Sequence, residues 1–375
     1  MKLEQKRILD LTYTFSGVVW YYIMLLFKHL GVSLHINKSE NHSTKEDIQN
    51  GLNYSRAISY FDVDLSSSGT TGNPTTVYAS ALHWISEQAA QYQYFKENGY
   101  NFRDKMVLVR SYSPKKGEDI YKIDKLRNFI FISPFHLTEE NLKIIIPFLQ
   151  GRYFLRGYPS SLEILAKLLH NNTEYKKPVS IFTASETLAI DQRLLIEKEF
   201  STQIYDWYGT SEPAVLLFQT KKSYPKYITP NFHCKFKLIE EENHKIIYGK
   251  ANWDSLSNLG YYKTNDIAEV DKDGNIIKIS GRKSDIITVG KNSVPITNFL
   301  TAFYNINGIL KFQILNSESN VDFRFLLKNN ECKETITKIK EAISNRLTEI
   351  SYSTTFTEPL KKSLGGKTPF FIKTF

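Results

Sequence analysis

The sequence is poor in cysteine, which removes several classes of protein at once. Cys234 and Cys332 are the only cysteines among its 375 residues. Zinc ribbons, iron–sulfur proteins and disulfide-stapled secreted domains need more cysteines at closer spacing. We therefore expect no such site, interpret His233 beside Cys234 as structural, and place the chain in a reducing, cytoplasmic setting.

A long apolar segment is also missing. The most apolar run covers residues 15–27 (FSGVVWYYIMLLF), whereas a helix that crosses a bilayer needs roughly 20 apolar residues. No small-residue cleavage site follows it, which argues against a signal peptide. The run predicts a buried N-terminal helix, and peripheral contact with a membrane surface is the alternative.

The chain lacks both a Walker A loop and a dense basic stripe. GxxxxGK[ST] is absent, and the lysines that give a net charge of +9 occur as scattered pairs. A positive charge favours anionic partners such as nucleotides, acidic carriers or membrane surfaces. Scattered pairs are typical of a solvated surface, so we expect no nucleic-acid partner.

What is present predicts two domains in an α/β chain. Strands and helices alternate from residue 100 to 210, and Ser160 is predicted to cap a helix that runs through His170. Short period-two strands from 225 to 280 predict an antiparallel sheet. A charged stretch at 281–293 marks the boundary, which separates residues 1–283 from residues 284–375.

The most informative segment is SSSGTTGNPTT, residues 66–76. Every residue in it is small, hydroxylated, glycine, proline or amide, so the segment cannot pack a core. Its hydroxyls and backbone N–H groups can line a concave surface for an anion. A strand precedes it and a helix follows. A plain polar linker is the alternative.

Two further segments carry carboxylates after predicted strands. Glu212 follows a Gly/Ser/Thr turn in YDWYGTSEP, where an oxygen ligand suits Mg²⁺. Asp266 follows GYYKTN, where a buried carboxylate can accept hydrogen bonds from a ribose diol, and Arg282 can support the same ribose. Ordinary turns and surface ion pairs are the alternatives.

A fourth segment places Lys367 in a glycine loop near the C-terminus. A lysine there can donate to an oxygen on which negative charge develops. Taken alone, a lysine near the terminus usually improves solubility.

Together and in this order, the four segments resemble the adenylate-forming (ANL) superfamily of acyl- and aryl-CoA synthetases. The similarity is greatest to the phenylacetate–CoA ligase-like branch, which includes CapK-type proteins. It covers residues 60–370 and rests on these motifs: SSSGTTGNPTT at 66–76, FHLTEENL at 135–142, RGYPSSLEILAKLL at 156–169, TASETL at 183–188, WYGTSEP at 207–213 and ISGRKSDIITVGKNSVPITNF at 279–299.

The resemblance implies a fold and a reaction. The fold would have a large N-terminal AMP-binding domain of layered sheets and helices, residues 1–283, and a small mobile α+β lid, residues 284–375. ATP and Mg²⁺ would serve as cofactors in the activation of a small aryl, acyl or amino acid to an acyl-adenylate. A thiol (CoA or a carrier protein) or an amine would then displace AMP.

It also implies roles for individual residues. Thr210, Glu212 and Lys367 would be catalytic, with Glu212 as the Mg²⁺ ligand and Ser284 at the hinge. The nucleotide would be held by Ser67, Ser68, Gly69, Thr70, Thr71, Gly72, Ala184, Ser185, Glu186, Tyr208, Gly209, Ser211, Asp266 and Arg282. The acid would contact His136, Tyr158, Trp207 and Pro213, and each of these is equally explicable as packing.

Three positions depart from the family pattern. Asn73 stands where the phosphate loop usually has lysine, Asn265 stands where glycine usually precedes the ribose aspartate, and Ser284 replaces the usual Asp or Lys at the hinge. An alternative is therefore a degenerate family member that binds nucleotide without turnover.

Overall fold

A computed structural model provides the structure of the chain. It describes residues 3–30, 40–49, 62–66, 76–112, 114–115, 117–210, 212–253, 260–282, 286–289, 292–296, 299, 302–303, 306–317, 319–328, 333–347, 351–356, 360 and 371–373. The chain divides into a larger unit, Met1–Ile279, and a smaller one, Ser280–Phe375. The assignment of residues 1–283 as an AMP-binding domain and of 284–375 as a lid stays a prediction.

The described helices follow the predicted α/β pattern. They are α1 (Leu3–His29), α2 (Lys45–Gln49), α3 (Ala81–Glu97), α4 (Leu142–Ile145), α5 (Pro159–Leu169), α6 (Ile190–Phe200) and α7 (Lys333–Ser344), with 3₁₀ turns at Pro134–His136 and Ile146–Leu149. The Ser80 hydroxyl caps α3 by accepting from the His83 backbone N–H at 3.2 Å.

A seven-stranded sheet forms the centre of the larger unit. Its strands are β4 (Met106–Val109), β5 (Tyr121–Asp124), β6 (Phe129–Ile132), β7 (Phe154–Gly157), β8 (Ile181–Ala184), β9 (Ile204–Gly209) and β10 (Leu216–Phe218). They lie in the order β10-β9-β8-β7-β4-β6-β5. The five inner strands are parallel, and β5 and β10 are antiparallel edges.

Continuous apolar runs such as MVLV form these strands because both faces of the sheet are covered. Side chains alternate between faces, so Met106 and Leu108 pack with α1 and α3 while Val107 and Val109 pack with α5 and α6. Because the inner strands are parallel, their carboxyl ends share one edge of the sheet, where ligands of such sheets usually bind.

A second sheet is mainly antiparallel, as predicted. It contains β1 (His42–Ser43), β11 (Cys234–Glu241), β12 (His244–Ala251), β13 (Tyr261–Val270) and β14 (Ile276–Arg282), of which β1 pairs parallel to β13. A separate hairpin joins β2 (Val63–Ser66) to β3 (Thr76–Ala79). Ser66 pairs with Thr76, which holds the two ends of the predicted phosphate loop side by side.

The smaller unit has its own core. It contains a hairpin of β15 (Ile286–Val289) and β16 (Asn292–Pro295) and a four-stranded sheet of β17 (Ile309–Asn316), β18 (Val321–Leu327), β19 (Tyr352–Thr355) and β20 (Phe371–Lys373) in the order β19-β18-β17-β20. Alternate β18 residues, such as Phe323 and Phe325, are buried and pack with Ile339 and Ile343 of α7. Sheet plus helix makes this unit α+β.

Helix α1 is only half buried, which corrects the expectation that it lies wholly inside. Gly17, Tyr21 and Met24 are buried, and a Cβ on Gly17 would lie 2.4 Å from the Gln88 Cβ of α3. On its other side Val19 is 60% exposed. No helix among the described residues is both long enough and apolar enough to cross a membrane.

Candidate active site

A tyrosine–aspartate pair joins the two sheets of the larger unit. The Tyr208 hydroxyl, from β9, donates to the Asp266 Oδ2 of β13 at 2.6 Å. Asp266 is buried and Tyr208 is partly exposed. The resemblance implies that both residues hold the nucleotide, and the structure brings them into direct contact with each other.

A bulge in β13 sets the direction of Asp266. The pairing with β12 shifts register between Ile246 and Tyr248, and Asn265 adopts a left-handed φ of 61° there. The Thr264 hydroxyl donates to the Ile247 carbonyl at 2.8 Å and accepts from the Asp266 backbone N–H at 3.0 Å. Glycine is favoured at such a φ, and asparagine is among the few other residues that tolerate it. The departure from glycine is therefore conservative.

The connection from β9 to β10 carries the predicted Mg²⁺ ligand. Gly209 pairs with Leu216, so the two ends of this loop lie side by side. This loop rests on β12, because a Cβ on Gly249 would lie 2.3 Å from the Val215 Cβ. Only glycine allows so close an approach. Glu212 is thereby held in a buried position, 4% exposed.

The Thr210 hydroxyl in this loop is available to bind a ligand. Its hydroxyl oxygen is buried and has no hydrogen-bond partner among the residues that the structure describes. Buried polar atoms are rarely left without a partner. A hydroxyl and a carboxylate are oxygen ligands of the kind that suit Mg²⁺ and its waters, so Thr210 and Glu212 fit the predicted phosphate and metal contacts.

The β8–α6 loop places three predicted nucleotide contacts at the carboxyl edge of the parallel sheet. Ala184 is buried at the end of β8, and Ser185 and Glu186 are exposed, with Ser185 at a φ of 72°. The Glu186 carboxylate accepts from both the backbone N–H and the hydroxyl of Ser160 at 3.0 Å. Glu186 therefore binds the start of α5, where an acidic group is favourable.

This contact corrects the predicted start of α5. Tyr158 is the N-cap residue and the helix begins at Pro159, so Ser160 is inside the first turn. Proline is well suited to the first helical position. The helix ends at Leu169 rather than running through His170.

The four predicted acid-pocket residues lie in different surroundings. Trp207 is buried in the aromatic core, stacked on Phe218 with centroids 5.7 Å apart. Pro213 is also buried. His136 is partly exposed, with its Nδ1 2.8 Å from the Ser133 hydroxyl.

Tyr158 is the fourth, and its hydroxyl lies 2.8 Å from the Ser111 hydroxyl beyond β4. It is therefore the predicted pocket residue that lies next to the carboxyl ends of β4 and β7. The assignment of all four to the acid stays a prediction.

Several predicted site residues lie outside the described part of the chain. They are Ser67, Ser68, Gly69, Thr70, Thr71, Gly72, Ser211, Ser284 and Lys367. Arg282 is described, at the end of β14 and partly exposed, and it belongs to the smaller unit. The roles of all these residues stay predictions.

The structure also groups residues that sequence reasoning missed. His83, Glu87 and His233 each offer a ligand atom, all within 4.8 Å of one another, and could hold a metal ion. Burial lowers the pKa of His83 to about 4 and raises the pKa of Glu87 to about 7. His83 and Glu87 are four residues apart on α3, a spacing that the sequence shows, whereas His233 is distant in sequence and only the fold brings it beside them. The interpretation of His233 as structural stays a prediction.

The comparisons with known proteins agree with the predicted resemblance. No protein-family model matches the chain. Protein CapK of Staphylococcus aureus is 27% identical over 335 residues, which cover 83% of this chain and 74% of that protein.

Among solved structures, 2-hydroxyisobutyryl-CoA ligase in the postadenylation state with R3-HIB-AMP matches with a TM-score of 0.57 at 11% identity, covering 98% of this chain and 88% of that one. ATP-bound MatB from Rhodopseudomonas palustris matches with a TM-score of 0.50 at 13% identity, covering 82% and 66%. The predicted resemblance is confirmed: the chain is similar to CapK and has the fold of adenylate-forming enzymes.

Proposed function

We propose that this protein is an ATP-dependent, AMP-forming ligase that activates a small carboxylic acid. The carboxylate attacks the α-phosphate of ATP and displaces pyrophosphate to give an acyl-adenylate. A thiol, from CoA or a carrier protein, or an amine then takes the acyl group and releases AMP. The acid is an aryl, acyl or amino acid.

The contact between Tyr208 and Asp266 is the observation that carries this proposal. A carboxylate held by a tyrosine hydroxyl at 2.6 Å is fixed in direction before a nucleotide arrives. Such a carboxylate can accept from a ribose diol, while the tyrosine ring offers a face for the adenine. Preorganisation of this kind lowers the entropic cost of binding.

The loop at 210–215 would hold the other end of the nucleotide. Thr210 has a buried hydroxyl free to donate to a phosphate oxygen, as far as the described residues show, and Glu212 lies two residues on. Mg²⁺, when bound, would supply positive charge beside the phosphates. Lys367 and the loop at 67–72 would complete the contacts, so the reaction is promoted by positioning and charge with no protein nucleophile.

The relatives support the same chemistry. One solved neighbour is described as a CoA ligase in a postadenylation state with a bound acyl-AMP, and another as ATP-bound. These ligands were bound by those proteins. Because this chain has the same fold, they support the proposal that it binds a nucleotide.

A degenerate, non-catalytic nucleotide binder is the second candidate, and Asn73 in the phosphate loop favours it. Exchange of labelled pyrophosphate into ATP, screened over a panel of carboxylic acids, separates the two. An acid that supports exchange establishes the ligase. Tight ATP binding without exchange for any acid would establish the degenerate protein.

Two variants give the exchange assay its control. Asp266→Asn removes the charge that holds the ribose and should lower kcat/KM for ATP roughly 10- to 100-fold, the scale of a hydrogen bond to a charged group. Glu269→Gln alters an exposed carboxylate three residues along the same strand and should leave exchange unchanged. Equal activity of both variants would contradict the role of Asp266.

A further inference from the structure

The larger unit contains a partly open cavity of about 300 Å³ between α1, α3 and the sheet. Seven of its 17 lining residues are aromatic. This volume is at the small end of ligand sites, so it suits a compact molecule. Ser111 and Arg110 line it where β4 ends, which connects the cavity to the edge that carries Ser185 and Tyr158.

Arg156 projects into this cavity from the middle of β7. Its side chain is only 9% exposed, and its guanidinium lies over the Phe95 ring, 5.1 Å from the centroid. Among the residues that the structure describes, no carboxylate forms an ion pair with its guanidinium. A buried arginine without an acidic partner is uncommon because an unpaired charge is unfavourable away from water.

Arg110 lines the same cavity, and its guanidinium makes few hydrogen bonds to described residues. Its guanidinium lies over the Tyr158 ring at 5.1 Å, and its buried Nη1 has no described acceptor. Its contacts with the hydroxyls of Ser185 and Ser111 are long, at 3.4 and 3.5 Å.

A third arginine shows what a satisfied guanidinium looks like in this cavity. Arg127 also lines it and forms an ion pair with Asp124 at 2.7 Å. Glu87 lines the cavity too, but no described ion pair joins it to Arg110 or Arg156. Among the described residues, these two cations therefore have no anionic partner in the cavity.

The electrostatics favour an anionic occupant. Burial, and then the nearby charge of Arg110, lower the pKa of Arg156 to about 9, which leaves it charged at neutral pH. An anion bound beside both guanidinium groups would offset the cost of burial and the repulsion between the two arginines. The planar fork of a guanidinium matches a carboxylate, with which it forms two parallel hydrogen bonds.

We infer that the acid activated here is a dicarboxylic acid, whose second carboxylate binds Arg110 and Arg156 while its body lies among the aromatic rings. The inference rests on the proposed function. The reacting carboxylate must meet the α-phosphate, where Thr210 is expected, so these two arginines serve the other end of the substrate.

The test compares matched pairs of acids in pyrophosphate exchange, each a dicarboxylic acid and its half-amide. The wild type should prefer the diacid. Arg156→Met and Arg110→Met should each lower kcat/KM for the diacid by about 30-fold or more, the range seen when one partner of a buried charge pair is lost, and leave the half-amide little changed. Arg127→Met is the control and should keep the preference.

A binding measurement decides the inference separately from catalysis. Diacids should raise the Tm of the wild type but not of Arg156→Met, and ligand-free Arg156→Met should be at least as stable as the wild type because an unpaired charge is gone. If half-amides support pyrophosphate exchange as efficiently as the diacids, the inference is overturned while the proposed function stands. If no acid supports exchange, the proposed function fails. The inference is overturned separately if a diacid and inorganic phosphate raise the Tm of the wild type equally.

Discussion

Asn265 controls the direction of Asp266, and replacing it tests how the ribose site is built. Its φ of 61° lies in the left-handed region inside an otherwise extended strand. Three substitutions probe this backbone: Asn265→Gly, which accepts the φ, Asn265→Ala, which resists it, and Asn265→Val, whose branched Cβ resists it further.

The magnitudes follow from the backbone cost. A left-handed residue with a Cβ costs roughly 1–2 kcal/mol, so Asn265→Ala should lose about 1 kcal/mol of unfolding free energy and Asn265→Val about 2 kcal/mol. The unfolding free energy of Asn265→Gly should stay within about 1 kcal/mol of the wild type. Glycine adopts the left-handed φ without strain, but it also gives the unfolded chain more conformational freedom, and the two effects offset each other. In a unit of this size each kcal/mol lowers Tm by roughly 2–4 °C.

Thermal denaturation and the KM for ATP are the two measurements. If the bulge relaxes to regular pairing, the Asp266 carboxylate turns away from Tyr208, and the KM should rise roughly tenfold in Asn265→Val, the scale of one charged hydrogen bond. Glu269→Val, at an exposed position of the same strand, is the control and should change stability by less than about 1 kcal/mol. Identical Tm and KM for the Gly, Ala and Val variants would refute the role of the left-handed backbone.

Three further predictions concern other parts of the chain. Gly249→Ala should cost about 1–3 kcal/mol of stability and weaken ATP binding, since its Cβ would meet Val215 and push the Glu212 loop away; an unchanged Tm would contradict the close packing. Burial raises the pKa of Cys234 to about 11, so iodoacetamide at pH 8 should leave it unmodified in the native protein and react faster as the pH approaches 11; rapid alkylation at pH 8, read by peptide mass spectrometry, would show an accessible thiol. Lys367→Ala should slow adenylate formation by about 100-fold or more but barely slow thioester formation from preformed acyl-AMP, and equal losses in both steps would contradict a two-pose lid.

Local pattern was enough to predict much of the fold. Runs such as MVLV at 106–109 are apolar at every position, which identifies strands covered on both faces. The alternating strands and helices of residues 100–210 and the short strands of residues 225–280 lie where the pattern predicted them. These features depend on neighbours a few residues away, and a single sequence contains that information.

Features that depend on distant partners were not predictable. The bulge at Asn265 is held by the hydrogen bond from the Thr264 hydroxyl to the Ile247 carbonyl, and the first turn of α5 is bound by Glu186 from another loop. Arg156 reads as an ordinary residue in FLRG, and only the parallel pairing of β7 with β4 shows that it faces a cavity. Such contacts join segments far apart in the chain.

The most direct test of the proposed reaction is the transfer of oxygen from acid to nucleotide. A substrate acid labelled with ¹⁸O in its reacting carboxylate is turned over with ATP and a thiol or amine acceptor, and the AMP is analysed by mass spectrometry. Formation of an acyl-adenylate predicts one ¹⁸O atom in the phosphate of AMP. Unlabelled AMP, or ADP and inorganic phosphate as products, would contradict adenylation.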